Sequence, residues 1–117
     1  MSYIDGMIAA VPKANKDAYL AYAHALAPIF RQHGATKLVD SWADDVPDGK
    51  VTDFRRAVLA GADEAVVFSW VTWPDKATRD AAWPKIMDDK RMQPDRGKMP
   101  FDGQRMFWGG FRPILDN

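Results

Sequence analysis

The residues best suited to chemistry in this sequence are few and scattered. Asp5 is a carboxylate inside an apolar run, Tyr3-Ile4-Asp5-Gly6-Met7-Ile8. A carboxylate taken out of water needs a charged or hydrogen-bonding partner. Arg105 or Arg112 would supply one if the first and last strands pair, giving either a structural clamp or an acid–base pair. His24 sits beside Leu20, Ala23 and Ala27 in a helical pattern. An imidazole there could act as a general base, because it titrates near neutral pH. A histidine on the flank of a helix, with no chemical duty, fits the pattern better.

The aromatic residues form the next group. Tyr3, Trp42, Phe68, Trp70, Phe107, Trp108 and Phe111 all fall in strand-like runs. An aromatic pocket with one or two polar groups suits a flat hydrophobic ligand. The ligand-binding candidates are therefore Ser69, Trp70, Trp42, Trp108 and Arg105, and core or interface packing accounts for most of the aromatics equally well.

Two charged clusters complete the inventory. Asp40, Asp44, Asp45, Asp48 and Asp53 are acidic, but their spacing is not that of a calcium loop and no Glu closes it. With no His pair and no cysteine nearby, zinc is not expected either, and turn or cap chemistry explains the aspartates. Lys90, Arg91, Arg96, Lys98 and Arg105 could bind an anionic group. Ion pairing with the 44–53 segment, or plain solvation, is the simpler expectation. No nucleophile triad, phosphate loop or dinucleotide fingerprint occurs, and no cofactor is expected. Gly109-Gly110 reads as a bulge or a close backbone approach.

Composition narrows the classes. The chain has 117 residues, 16 basic and 16 acidic, and no cysteine. That length fits one domain, 1–117. Charge balance argues against nucleic-acid binding and against a polybasic membrane surface. Missing cysteine rules out disulfides and thiol chemistry. No apolar run reaches the roughly 20 residues of a membrane span. With no signal-peptide pattern, a cytoplasmic address is expected.

The elements that must position these residues follow from periodicity. Strands are expected at 3–11, 37–43, 65–73 and 105–112. Pro12 would end the first, and Lys37 and Asp40 suit a sheet edge for the second. A helix over 16–33 would be capped by Asn15, would bury Leu20, Ala23, Leu26, Ala27 and Phe30, and would end at a left-handed Gly34. Pro28 would kink it or face solvent. A second helix over 76–89 would be capped by Asp75, with Pro84 inside. Residues 52–60 lean towards a short helix capped by Thr52 or Asp53, and 90–104 read as a loop. The order β-α-β-(short element)-β-α-β is the ferredoxin-like, split βαβ arrangement. It predicts an α+β fold with a four-stranded antiparallel sheet and both main helices on one face.

Such a sheet should be polar on its uncovered side. Here both sides are apolar. Val66, Phe68 and Trp70 point one way, and Val67, Val71 and Trp73 the other. Ile4 and Ile8 oppose Tyr3 and Met7, and Phe107 and Phe111 oppose Met106 and Trp108. A bare apolar face is an aggregation hazard. Burying about 500 Å² of it would contribute on the order of 12 kcal/mol before association costs. A second copy of the chain is the expected cover. The alternative is a monomer in which 44–60 or 90–104 folds over the face.

Several stretches resemble the YbaA-like family of bacterial proteins, a domain family of unknown function. They are Tyr3-Ile4-Asp5-Gly6; Trp42 with the run Asp44 to Phe54; Phe68-Ser69-Trp70; Arg79-Asp80-Ala81-Ala82; and Met99-Pro100-Phe101-Asp102-Gly103 with Arg105-Met106 and Gly109-Gly110-Phe111. The resemblance covers nearly the whole chain. It implies a dimeric α/β-barrel fold and a pocket between sheet and helices, but no reaction. Trp83-Pro84 stands where relatives tend to carry polar residues. Three functions compete: binding or transforming a small hydrophobic or aromatic molecule, a non-catalytic homodimeric interaction or stress-associated role, and RNA binding, which the charge pattern does not support.

Overall fold

The structure is a computed structural model and describes residues 2–92 and 99–117. The expected loop cations Arg96 and Lys98 lie outside the described residues. The order is β1 (Tyr3–Pro12), a 3-10 turn (Lys13–Asn15), α1 (Lys16–Gln32), β2 (Lys37–Trp42), α2 (Phe54–Ala57), β3 (Glu64–Trp73), α3 (Lys76–Met87) and β4 (Phe107–Phe111). The four strands form one antiparallel sheet in the order β2-β3-β1-β4. This is the expected α+β, ferredoxin-like topology, with β2 at an edge.

β3 forms because β-branched and aromatic side chains fit a pleated surface packed on both sides. It pairs along its whole length with β1, from Tyr3↔Trp73 to Pro12↔Glu64. Pro12 does not end the strand early; it takes the last paired position, where the missing amide costs least. β4 is shorter than 105–112 because Arg105 is held in a turn instead.

The helices α1 and α3 pack on one face. Ile29 and Phe30 of α1 meet Ala82 and Ile86 of α3 over Tyr3 and Trp73. The buried stripe of α1 keeps the expected Ala23, Leu26 and Phe30 but not Leu20. Tyr19, Ile29 and Phe30 are buried, whereas Leu20 is half exposed. Tyr19, Tyr22, Ala23, Leu26 and Ile29 follow the 3–4 spacing, and the amphipathic tyrosines take inward positions. Asn15 does not cap α1 with its side chain. The preceding 3-10 turn leads the backbone in, and Asn15 Nδ2 donates to Pro100 O at 2.9 Å. Gly34 has φ +112°, the left-handed exit expected of it. Asp75 caps α3 by accepting from the Thr78 amide at 2.7 Å.

α2 lies on the opposite face of the sheet. Asp53 caps it, accepting from the Arg56 amide at 2.7 Å and the Gly49 amide at 3.0 Å. Val58, just after α2, is fully buried against Ala10 and Val66. So part of the 44–60 segment does fold over the second face, but only at one end.

This segment is pinned by charge. Arg105 donates to both Glu64 oxygens, at 2.7 and 2.6 Å, and to Leu59 O at 2.9 Å. Leu59 has φ +52°, a backbone state bulky residues avoid, and this contact helps hold it. Arg105 also pairs with Asp102, and Arg91 with Asp89. For Arg91 and Arg105, the expected pairing with the 44–53 acidic segment is replaced by contacts closer in sequence or in the fold. The Arg105 guanidinium, then the Gly61 amide, hold the Glu64 carboxyl at about 2, down from 4.5. A depressed folded value adds stability that is present above the unfolded value and lost as pH falls through the folded one. Thermal midpoints should therefore drop from about pH 5 to about pH 2, and Glu64→Gln should remove part of that drop. An unchanged slope in the variant would contradict this contribution.

Candidate functional site

Asp5 is the densest polar site described. β1 directs it to the helix side, opposite Val71 of β3 and Gly110 of β4. It is 5 % exposed. Its Oδ2 accepts from Trp73 Nε1 at 2.9 Å, Trp83 Nε1 at 3.1 Å and Arg79 Nε at 3.1 Å. Its Oδ1 accepts from Arg79 Nη2 at 2.7 Å. Neither expected partner, Arg105 or Arg112, is used. The β4 residue opposite Asp5 is a glycine, and the cation comes from α3 instead.

Local structure explains why. The Asp75 cap fixes where α3 starts, and Arg79 and Trp83, four residues apart, then share the face turned to the sheet. Arg79 lies 5.3 Å from the Tyr3 ring centre and 5.7 Å from that of Trp108. Its remaining arm donates to Asp80 at 3.0 Å. Asp5 above all raises the Arg79 value and keeps the guanidinium charged. Trp108 stacks on Trp83 with centres 5.1 Å apart, and half of it stays exposed.

Gly110 makes room for this arrangement. A Cβ there would stand 2.6 Å from the Tyr3 hydroxyl and 2.8 Å from Arg79 Nη2. This is the close backbone approach expected of the glycine pair. Gly110→Ala should cost about 1–3 kcal/mol in urea unfolding, through overpacking. Gly109→Ala, whose Cβ would meet only the Phe111 ring at 3.4 Å, should cost less. Equal effects would place the constraint elsewhere.

With four donor nitrogens on its two oxygens, Asp5 is arranged as a clamp joining β1, β3 and α3. A second polar group lies nearer the β2 edge. Tyr19 OH donates to Asp40 Oδ1 at 2.6 Å, and Ser69, buried and in register with Asp40, shares that hydroxyl. Burial, then Asp40, push the Tyr19 hydroxyl well above the ordinary phenol range.

The other sequence candidates do not converge. His24 is exposed on α1. Trp42 packs with the Tyr19–Phe101 cluster, under Lys16 at 5.3 Å. Arg105 belongs to the α2 network. Ser69 and Trp70 are neighbours in sequence and so face opposite sides of the sheet. Among the described residues, no group of three His, Asp or Glu side chains is placed to hold a metal ion. Sequence reasoning named neither Tyr19 nor Arg79 as a site residue, although Arg79 opens one of the stretches that carry the family resemblance. The spacing of Arg79 and Trp83 behind a clear helix cap was the available signal.

The opposite face presents a different feature. Ile4, Ile8, Phe68, Trp70, Phe107 and Phe111 line a trough of about 630 Å³. Phe68 meets Trp70 and Phe54 edge-on, at 5.7 and 5.9 Å. Phe68, Phe107 and Phe111 are 43, 46 and 63 % exposed. No helix is long and apolar enough to cross a membrane among the described residues.

Comparison with known proteins adds family and fold. The family model for DUF1428, a protein of unknown function, matches residues 2–103. The chain is 54 % identical over 116 residues to the uncharacterized protein YbaA of Escherichia coli K12, covering 99 % of both chains. It matches the YbaA protein of Shigella flexneri to the same extent. Among solved structures, it is similar to a dimeric ferredoxin-like protein from an uncultured marine organism. That match has a TM-score of 0.65 and 10 % identity, over 99 % of this chain and 98 % of the other. At that identity the likeness shows the fold.

Proposed function

Because the chain belongs to the DUF1428 family, whose function is unknown, no activity is inherited, and we propose that it acts as a homodimer built on the aromatic trough. The observation that carries this reading is the exposure of Phe68, Phe107 and Phe111 together on one sheet face. A contiguous apolar surface of this kind marks an interaction site. The solved neighbour is itself described as dimeric. A cytoplasmic setting fits a chain without cysteine. Association stabilises the folded state by mass action, so the thermal midpoint should rise with protein concentration. A midpoint constant over a hundredfold range of concentration would contradict it.

The half-exposed Trp108 supports a second reading on the helix side. A flat aromatic carboxylate would stack on Trp108 and take over the Arg79 Nη1 arm that donates to the exposed Asp80. Asp5 would then be the group that holds Arg79 in place. Naphthoate titration should quench indole fluorescence saturably, and Trp108→Ala should abolish the effect. A linear, unsaturable quench would remove this reading.

A further inference from the structure

Tyr3 and Tyr19 are almost equally buried, at 8 and 5 % exposed, but their hydroxyls differ. Tyr19 spends its hydroxyl on Asp40, as a buried phenol is expected to. The Tyr3 hydroxyl has no hydrogen-bond partner among the described residues. It is not sealed in, because every enclosed side-chain nitrogen or oxygen described has a partner. The ring is therefore packed, while its oxygen opens outward with donor and acceptor unspent.

The groups beside that oxygen give it a use. Tyr3 lies two residues before Asp5 on β1 and so shares its face of the sheet. A Cβ on Gly110 would stand 2.6 Å from the Tyr3 hydroxyl and 2.8 Å from Arg79 Nη2, so the two groups flank one spot above β4. The Arg79 guanidinium also lies 5.7 Å from the Trp108 ring centre. Nη2 has a second N–H beyond the one donated to Asp5, and Nη1 donates to the exposed Asp80. Asp80 can give way at little cost. Lys76 Nζ holds its other oxygen at 2.6 Å, and an exposed pair contributes little. The two terminal nitrogens then form the fork that a carboxylate matches, with the Tyr3 hydroxyl at its side.

A simple carboxylate on this fork would leave the Tyr3 hydroxyl to water. An aromatic acid with a hydroxyl next to its carboxylate presents both oxygens from one edge of a flat ring. The carboxylate then meets the guanidinium, and the neighbouring oxygen accepts from Tyr3.

We propose that this site selects a flat aromatic acid bearing a hydroxyl next to its carboxylate, the carboxylate on Arg79 and the neighbouring oxygen on the Tyr3 hydroxyl. The inference rests on the aromatic-carboxylate reading above and adds the class of ligand. Calorimetric titration compares naphthoate, its ortho-hydroxy derivative and an isomer with the hydroxyl on the far ring. The ortho-hydroxy acid is expected to bind about fivefold tighter than the other two, the effect of one added hydrogen bond. Tyr3→Phe should bring it level with naphthoate. The comparison of the three acids on the wild-type chain stands by itself if that variant does not fold. Equal affinities in the wild type overturn the inference, as does an advantage that survives Tyr3→Phe. Both results leave the aromatic-carboxylate site standing, since naphthoate still binds and Trp108→Ala still abolishes its binding. No saturable heat from any of the three acids removes the site and this inference together.

Discussion

Asp5→Ala lowers the unfolding free energy by about 3–5 kcal/mol, the largest single-residue effect expected in this chain. The reason is what the substitution leaves behind. Arg79 stays 15 % exposed with its main counter-ion gone, and the Trp73 and Trp83 indole N–H groups lose their acceptor. A buried charge without a partner costs far more than a surface pair contributes. Asp5→Asn keeps an acceptor but removes the charge, and should fall between wild type and alanine. Asp5→Leu combined with Arg79→Met should be milder than Asp5→Ala, since it removes both charges together. Urea unfolding of the four proteins checks this. A loss under 1 kcal/mol for Asp5→Ala would mean that the clamp does not hold the sheet to α3.

The second large effect falls on assembly. Phe111→Asp weakens self-association by at least about a hundredfold, nearly 3 kcal/mol, and leaves the fold intact. Phe111 is 63 % exposed, so a carboxylate there is solvated in the free chain. In the dimer the same carboxylate would lose its water against the partner's trough, whose lining side chains are apolar apart from Arg112. The sheet itself depends little on this side chain, because the β1–β4 ladder is made by backbone groups. Sedimentation should show the variant dissociating at concentrations where wild type stays associated, with an unchanged far-ultraviolet spectrum. Undiminished association would place the contact on another surface.

Much of this architecture is legible in the residues. The alternation of Val66, Phe68 and Trp70 with Val67, Val71 and Trp73 gives two apolar faces without any structure, and β3 follows. Strand alternation also separates Ser69 from Trp70, so those two could never have lined one pocket. What periodicity does not give is how a helix sits over a sheet. Asp5 is conspicuous as a carboxylate in an apolar strand, yet its partner comes from α3, 74 residues away. That pairing depends on helix placement, which follows from the Asp75 cap and from packing around Trp73 rather than from strand register. The α1 stripe was read only in part for a related reason. Tyrosines read as polar by type, but Tyr19 buries its ring and satisfies its hydroxyl on Asp40. The placing of α2 on the far face rests on Val58 just after it and on Phe54 against Phe68, and no pattern marks either as inward.

Everything proposed for assembly rests on the trough being covered by a second copy. Sedimentation velocity of the wild-type chain at micromolar concentration tests this most directly. A species of twice the 13.2 kDa chain mass is the expected result. A single 13.2 kDa species across that range would contradict it.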